Sequence, residues 1–331
     1  MKPLASLSLD LDNEWSYLKT HGDTAWSELP SYLDVVVPRV LEVLSNRGVT
    51  ITWFIVGQDA ALERNGEALK SISAAGHEIG NHSFRHEPWL HKYPDAEVRD
   101  ELSRAEEAIE TATGFHPVGF RGPGYSLSPA VLETLVERGY RYDCSTLPTI
   151  IGPVARAIYF RSSKLDAAQR ADRGDLFGHA SEALRPLRAY RWDVGPDGLV
   201  EIPVTVLPGA RVPMHVSYLL ALSGRSKRLA RSYFRTALQL CKMARVEPSL
   251  LLHPLDFLGG DDVGSLAFFP GMDMRGRDKT EMTAAFIEMF ADQFEVATVG
   301  GHAAAANART SLPIVEPGAR RPRVGARPSS R

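Results

Sequence analysis

Cysteine is scarce in this 331-residue chain: only Cys144 and Cys241 occur. Two thiols cannot build a disulfide framework, so a hydrophobic core must hold the fold. Both are expected to be small buried hydrophobes in a reducing compartment. Net charge is nearly absent as well, at -2, which removes any global reason to bind nucleic acid. No basic segment interleaves with aromatics in the way that grips single strands. Long apolar runs are missing too. The opening stretch MKPLASLSLDLDNEW is interrupted by Asp10 and is too short and too acidic for a signal peptide or a membrane span, so the chain is expected to stay in the cytoplasm.

What the chain does have is 44% hydrophobic and 24% charged residues, material for one large core. Strand-like runs alternate with helical patterns: residues 4–12, 49–56 and shorter pieces around HEIGN, HPVGFRG, YRYDCS, LVEIPVTV, PSLLLH and FEVATV are β-branched or apolar. The clearest helix covers 95–113, with Val98, Leu102, Ala105 and Ile109 on one face, Asp95 at the N-cap position and Gly114 closing it. Such alternation predicts an α/β fold, either an open doubly wound sheet or a closed barrel. No linker interrupts it, so residues 1–302 are expected to form one domain. Two stretches break the rhythm: 153–191, basic and aperiodic, reads as an insertion or lid, and 303–331, Ala-rich and then Pro, Gly and Arg-rich, reads as a disordered tail.

Four polar constellations fall at the ends of strand-like runs. Asp10 and Asp12 lie two apart, hence on one face, where like charges need a cation or proton between them. His82 and His86 are four apart in HSFRH, a weak signal alone. Arg121 enters a Gly-Pro-Gly turn after an apolar piece and needs a carboxylate, and His253 ends the run SLLLH. Two imidazoles, one carboxylate and an open position make a catalytic zinc set, and the C-terminal ends of strands are where α/β folds assemble active sites.

In that order of motifs the sequence resembles the polysaccharide deacetylase family, also called NodB-homology or carbohydrate esterase 4, over roughly residues 4–300. The resemblance implies a distorted (β/α)7 barrel, a divalent metal, and removal of acetyl groups from N- or O-acetylated sugars of a glycan or its precursor. Carried onto this chain it implies Asp12, His82 and His86 as metal ligands, with zinc as the expected ion. It implies Asp10 as general base, Arg121 as its orienting partner, the Tyr125 backbone N–H in an oxyanion site, and His253 as general acid. The Asp10-Leu11-Asp12 spacing departs from the family's usual adjacent acids and resembles an atypical branch, so a deformylase of a lipid-linked formamido sugar is an alternative. A non-catalytic carbohydrate-binding protein is another. Support for His253 is expected from Asp193, ahead of Asp143 and Asp256, with Trp192 walling the sugar site. Residues 224–246 hold seven Lys or Arg and no acid. Leu229, Tyr233, Ala237, Leu240 and Cys241 are placed on one face of a helix there. The basic side predicts either a solvated face or peripheral contact with the inner membrane leaflet.

Overall fold

The computed structural model describes residues 2–152, 183–309 and 312–318. Its centre is β1 (Leu4–Leu11), paired in parallel with β2 (Thr52–Ile55) and with β8 (Ser249–Leu252). Alternation within β1 explains the layering. Ala5, Leu7, Leu9 and Leu11 join the large core built with α2 (Leu33–Ser45), α8 (Lys227–Met243) and α9 (Gly276–Gln293). Ser6, Ser8 and Asp10 face the other way and are equally buried. Small hydroxyls on that inner face leave room for the guanidinium of Arg121, which donates to Ser8 Oγ at 2.9 Å.

The sheet continues through β3 (Glu78–Asn81), β4 (Gly119–Phe120), β5 (Tyr142–Asp143) and β7 (Leu199–Glu201), all parallel. Beyond β7 an antiparallel β6 (Tyr190–Trp192) and a short β10 (Ile314–Val315) extend the edge, and β9 (Glu295–Ala297) pairs with the start of β1. The chain leaving β7 closes the structure. Ile202 N–H donates to Asp143 O and Val204 N–H to Thr146 O, and Thr205 N–H then reaches Ser249 O at 3.1 Å, while Ser249 N–H returns to Thr205 Oγ1 at 2.6 Å. The ring β1-β2-β3-β4-β5-β7-β8 thus has seven staves, with one joint made by a single backbone bond and a side chain. This is a distorted (β/α)7 barrel, curled and open along part of its length.

Register places the functional end. Leu11 lies opposite Ile55, Ile55 opposite Asn81, Asn81 opposite Phe120 and Phe120 opposite Asp143. The next residues on these strands are Asp12, Val56, His82, Arg121 and Cys144. Leu9 pairs with Leu252, which brings His253 beside Asp10. One rim therefore collects Asp10, Asp12, His82, Arg121 and His253.

Several expectations change in detail. The long helix is α5 (Asp95–Thr113), capped by Gly114 in the left-handed region at φ 78°; its N-cap is Pro94, with Asp95 in the first turn. Order does not stop at residue 303. Helix α10 (Val299–Asn307) packs Val299, Ala303 and Ala306 onto Phe54, Tyr142 and Val200, its small side chains permitting the close approach, and Val315 is buried against β6. The remainder of the tail, 319–331, and most of the 153–191 segment lie outside the described residues. In α8 the buried residues are Ala230, Phe234, Ala237, Leu238 and Cys241, whereas Leu229 is 54% exposed, so the apolar stripe is rotated from the one expected. Cys144 and Cys241 are buried free thiols. No helix among the described residues is long and apolar enough to cross a membrane.

Candidate active site and metal centre

At the rim, Asp12 Oδ1 lies 2.9 Å from His86 Nε2 and 3.4 Å from His82 Nε2. The three donor atoms sit within 4.8 Å of one another, on buried residues. His82 Nδ1 is 2.6 Å from the Arg121 carbonyl, which can only accept, so Nδ1 carries the proton and the Nε2 lone pair points at Asp12. A buried carboxylate facing imidazole lone pairs is unfavourable unless a cation or protons lie between them. Burial pushes the Asp12 carboxyl up, but the two imidazoles outweigh it and hold the group well below the usual range. Burial likewise pulls His82 down, and Asp10 and Asp12 together reverse this and raise it. The donor set fits a divalent ion: two nitrogens and one oxygen, converging, with one nitrogen already oriented from behind.

The loop carrying the histidines is held under backbone strain. Among the described residues six non-glycine residues have positive φ, and three of them, Ser83 (60°), His86 (52°) and Tyr125 (63°), belong to this rim. Such conformations persist only where surroundings enforce them. Here the enforcement is Glu101 of α5, 1% exposed, whose Oε2 accepts from the N–H groups of Phe84 and Arg85 at 3.0 and 2.9 Å, and Asn81, whose Oδ1 accepts from Ser83 N–H. Glu101 escaped sequence reasoning. Its signal was an acid inside the Val98–Leu102–Ala105 stripe, where a solvated face would put none.

Asp10 is paired with Arg121 through Oδ1 and Nη1 at 2.6 Å. The guanidinium is 1% exposed, lies 4.4 Å over the Phe54 ring and donates Nε–H to Cys144 O. Burial lowers its pKa, but the Asp10 charge outweighs this and raises it, so Arg121 is a permanent cation. The turn after it needs glycine: a Cβ on Gly122 would sit 2.1 Å from Ser126 O. Gly122 N–H donates to Ser145 Oγ, whose hydroxyl donates to Asp143 at 2.5 Å. Asp143 thus braces the Arg121 turn and faces Glu201, with burial raising both carboxyls.

His253 is supported by Asp256. The Asp256 carboxylate accepts from His253 N–H at 2.9 Å, and the imidazole accepts from Asp256 N–H, so the neutral ring carries its proton on Nε2. Asp256 also accepts from Ser217 Oγ. The expectation for Asp193 is corrected: its side chain is exposed at the end of β6, its N–H bonds Val315 O, and no contact joins it to His253. Trp192 is corrected too. It is fully buried, donating Nε1–H to Glu201, and walls no open site. The Tyr125 N–H donates to Gly122 O at 2.9 Å inside its turn, so the oxyanion role expected of it meets an existing bond. Sequence reasoning missed His215. Its ring centroid is 6.4 Å from that of His253 and 5.8 Å from Tyr218, and Nε2 is 3.5 Å from the Tyr125 hydroxyl. Burial first, then the His253 and Arg121 charges, push it down to about 3, leaving it neutral at all working pH. A histidine opening the apolar run HVSYLL was the available signal.

Behind Asp12 lies Asp59, 1% exposed, accepting from Asn13 Nδ2 at 2.7 Å and Trp15 Nε1 at 2.9 Å. Burial raises its carboxyl to about 7, against the pull of those two bonds. The folded state therefore holds a proton that the unfolded chain releases in the ordinary carboxylate range, so this group's contribution falls as pH rises towards 7. Relative to the parent, Asp59→Asn is expected to gain stability between pH 5 and pH 8, by at most a few kcal/mol at about 1.4 kcal/mol per unit. Denaturant melts at the two pH values check this. A constant difference would remove Asp59 from the pH dependence.

Comparison with known proteins follows the same lines. The family model described as polysaccharide deacetylase matches residues 24–142, a segment holding His82, His86 and Arg121. The chain is 30% identical over 172 residues to the peptidoglycan deacetylase of Helicobacter pylori, covering 51% of this chain and 58% of that protein. It is 33% identical over 111 residues to the peptidoglycan-N-acetylmuramic acid deacetylase of Bacillus subtilis, covering 33% and 41%. The chain thus spans about half the length of the curated relatives it matches. A crystal structure from Mycobacterium smegmatis, itself only provisionally assigned as a polysaccharide deacetylase, superposes with TM-score 0.60 at 23% identity over 96% of this chain and 95% of that one, and so shares the fold.

Proposed function

We propose that this chain, which is related to the polysaccharide deacetylase family, hydrolyses the acetamide of an N-acetylated amino sugar in a glycan or glycan precursor, with a divalent ion held by Asp12, His82 and His86. The observation that carries this reading is the convergence on one rim of that donor triad, the Asp10–Arg121 pair and the His253–Asp256 pair. Zinc suits two imidazoles and one carboxylate. When bound, such an ion polarises an amide carbonyl and makes water more acidic.

The chain's own groups carry the rest. Asp10, ion-paired with the buried Arg121 guanidinium, accepts a proton from the attacking water as its oxygen bonds to the acetyl carbon. The C–N bond then breaks as His253, entering the step as the imidazolium, gives a ring proton to the leaving nitrogen and ends as the neutral ring, releasing acetic acid and a free amine. Asp10 then sheds the proton it took from water and His253 takes one up before the next turnover. Asp256 fixes the ring from behind. His215, neutral beside His253, and Tyr125, whose hydroxyl lies 3.5 Å from His215 Nε2, form a wall for the sugar. His253→Ala is expected to lower kcat by about 10²-fold to 10⁴-fold, the usual worth of a positioned acid. His215→Phe is expected to raise KM more than it lowers kcat, since it touches substrate and moves no proton. Steady-state assays of acetate release separate the two, and near-parent kcat in His253→Ala would remove that residue from the mechanism.

A further inference from the structure

Basic side chains on this surface are commonly matched to an acid: Arg39 with Asp262, Arg99 with Glu137, Arg138 with Glu106 and Arg309 with Glu247. Helix α8 departs from that pattern. Lys227, Arg228, Arg231 and Arg235 are exposed, and among the described residues no carboxylate pairs with any of them. At 3.6 residues per turn Arg228, Arg231 and Arg235 form one stripe. Beside it Leu229 and Met243 stand in the open, 54% and 80% exposed. Lys227 and Arg228 also occupy the first turn, which contains no acid. A cation there opposes the helix dipole. The fold therefore places positive charge where helix electrostatics disfavour it, and no carboxylate among the described residues offsets it.

We propose that this face of α8 docks on an anionic lipid bilayer. Unpaired guanidinium groups fit phosphate headgroups, and Leu229 and Met243 fit the acyl boundary just below, which a soluble polyanion has no means to use. Orientation adds a consequence. Because α8 leads back to the start of β8, its first turn lies at the end of the barrel where His253 leaves β8. Tyr218, 46% exposed, lies on the short helix Val216–Ser223 that precedes α8 and is in ring contact with His215 of the rim. Docking through α8 brings the rim near the membrane, which suits an acetylated sugar carried on a lipid. This consequence rests on the reaction proposed above, whereas docking itself is measured without it.

The test is co-sedimentation of the whole chain with vesicles of phosphatidylcholine alone and of equimolar phosphatidylcholine and phosphatidylglycerol. The protein is expected to pellet only with the anionic vesicles and to be released by added salt. R228E/R231E/R235E is expected to weaken binding by on the order of 10²-fold or more, at several-fold per basic residue, with an unchanged circular dichroism spectrum. L229S/M243S is expected to weaken vesicle binding while leaving binding to soluble polyphosphate intact. Equal partitioning to both vesicles, or undiminished binding of the charge-reversed protein, overturns the proposal. Vesicle binding by L229S/M243S equal to the parent's overturns it as well, leaving a general polyanion site.

Discussion

Asp10→Asn is expected to lower turnover by about 10²-fold to 10⁴-fold while the bound metal stays in place. The amide matches the carboxylate in size and can still accept from Arg121 Nη1, yet it cannot take a proton from water. Asp12→Asn should do the opposite first, weakening the metal, because Asp12 Oδ1 is the atom aimed at both Nε2 positions. One structural cost must be separated from the chemical one. Arg121 is 1% exposed, and removing the Asp10 charge leaves a buried cation uncompensated, a change worth about 3–5 kcal/mol of stability. Metal content and melting temperature, measured beside kcat, divide the two: a folded, metal-loaded, slow protein is the expected outcome. Metal loss in Asp10→Asn with retention in Asp12→Asn would reverse the two assignments.

The second large effect belongs to the histidines. His82→Ala with His86→Ala leaves Asp12 as the sole remaining donor, and one carboxylate does not retain a divalent ion at micromolar concentrations. Metal per protein chain is expected to fall from about one to near zero, and acetate release to vanish with it. Each single variant should bind the ion far more weakly than the parent. His86→Ala keeps the strained backbone position at φ 52°, which only glycine would relieve, so its loss of metal is not offset by a gain in backbone freedom. Elemental analysis after gel filtration reads the result. Unchanged metal in the double variant would place the ion elsewhere.

The site was readable where chemistry coincided with the end of a strand. Asp10, Asp12, Arg121 and His253 each follow an apolar run, and the register of β1 with β2 and β8 turns those positions in sequence into neighbours in space. Residues that act through backbone contacts were harder to see. Glu101 lies on a helix and works by accepting two N–H groups from a loop 16 and 17 residues away in sequence. The choice of Asp193 over Asp256 failed for a related reason. Asp193 stood in a Trp-Asp pair, but β6 runs antiparallel at the edge of the sheet beyond β7, whereas Asp256 lies three residues after His253, within reach of its backbone. The start of the expected tail, residues 303–307, was misjudged because alanine is weakly apolar by count but packs closely where a barrel interior has little space, as Ala303 and Ala306 do.

The most direct test of the central claim is product analysis of the whole chain, loaded with zinc, acting on an N-acetylated amino-sugar oligosaccharide. Acetate and free amine should appear in equal amounts, stop on chelation, return on adding zinc, and be absent in the His82, His86 double alanine variant. Acetate release that persists in the chelated protein and in the double variant would contradict the assignment of Asp12, His82 and His86 as the metal centre of a deacetylase.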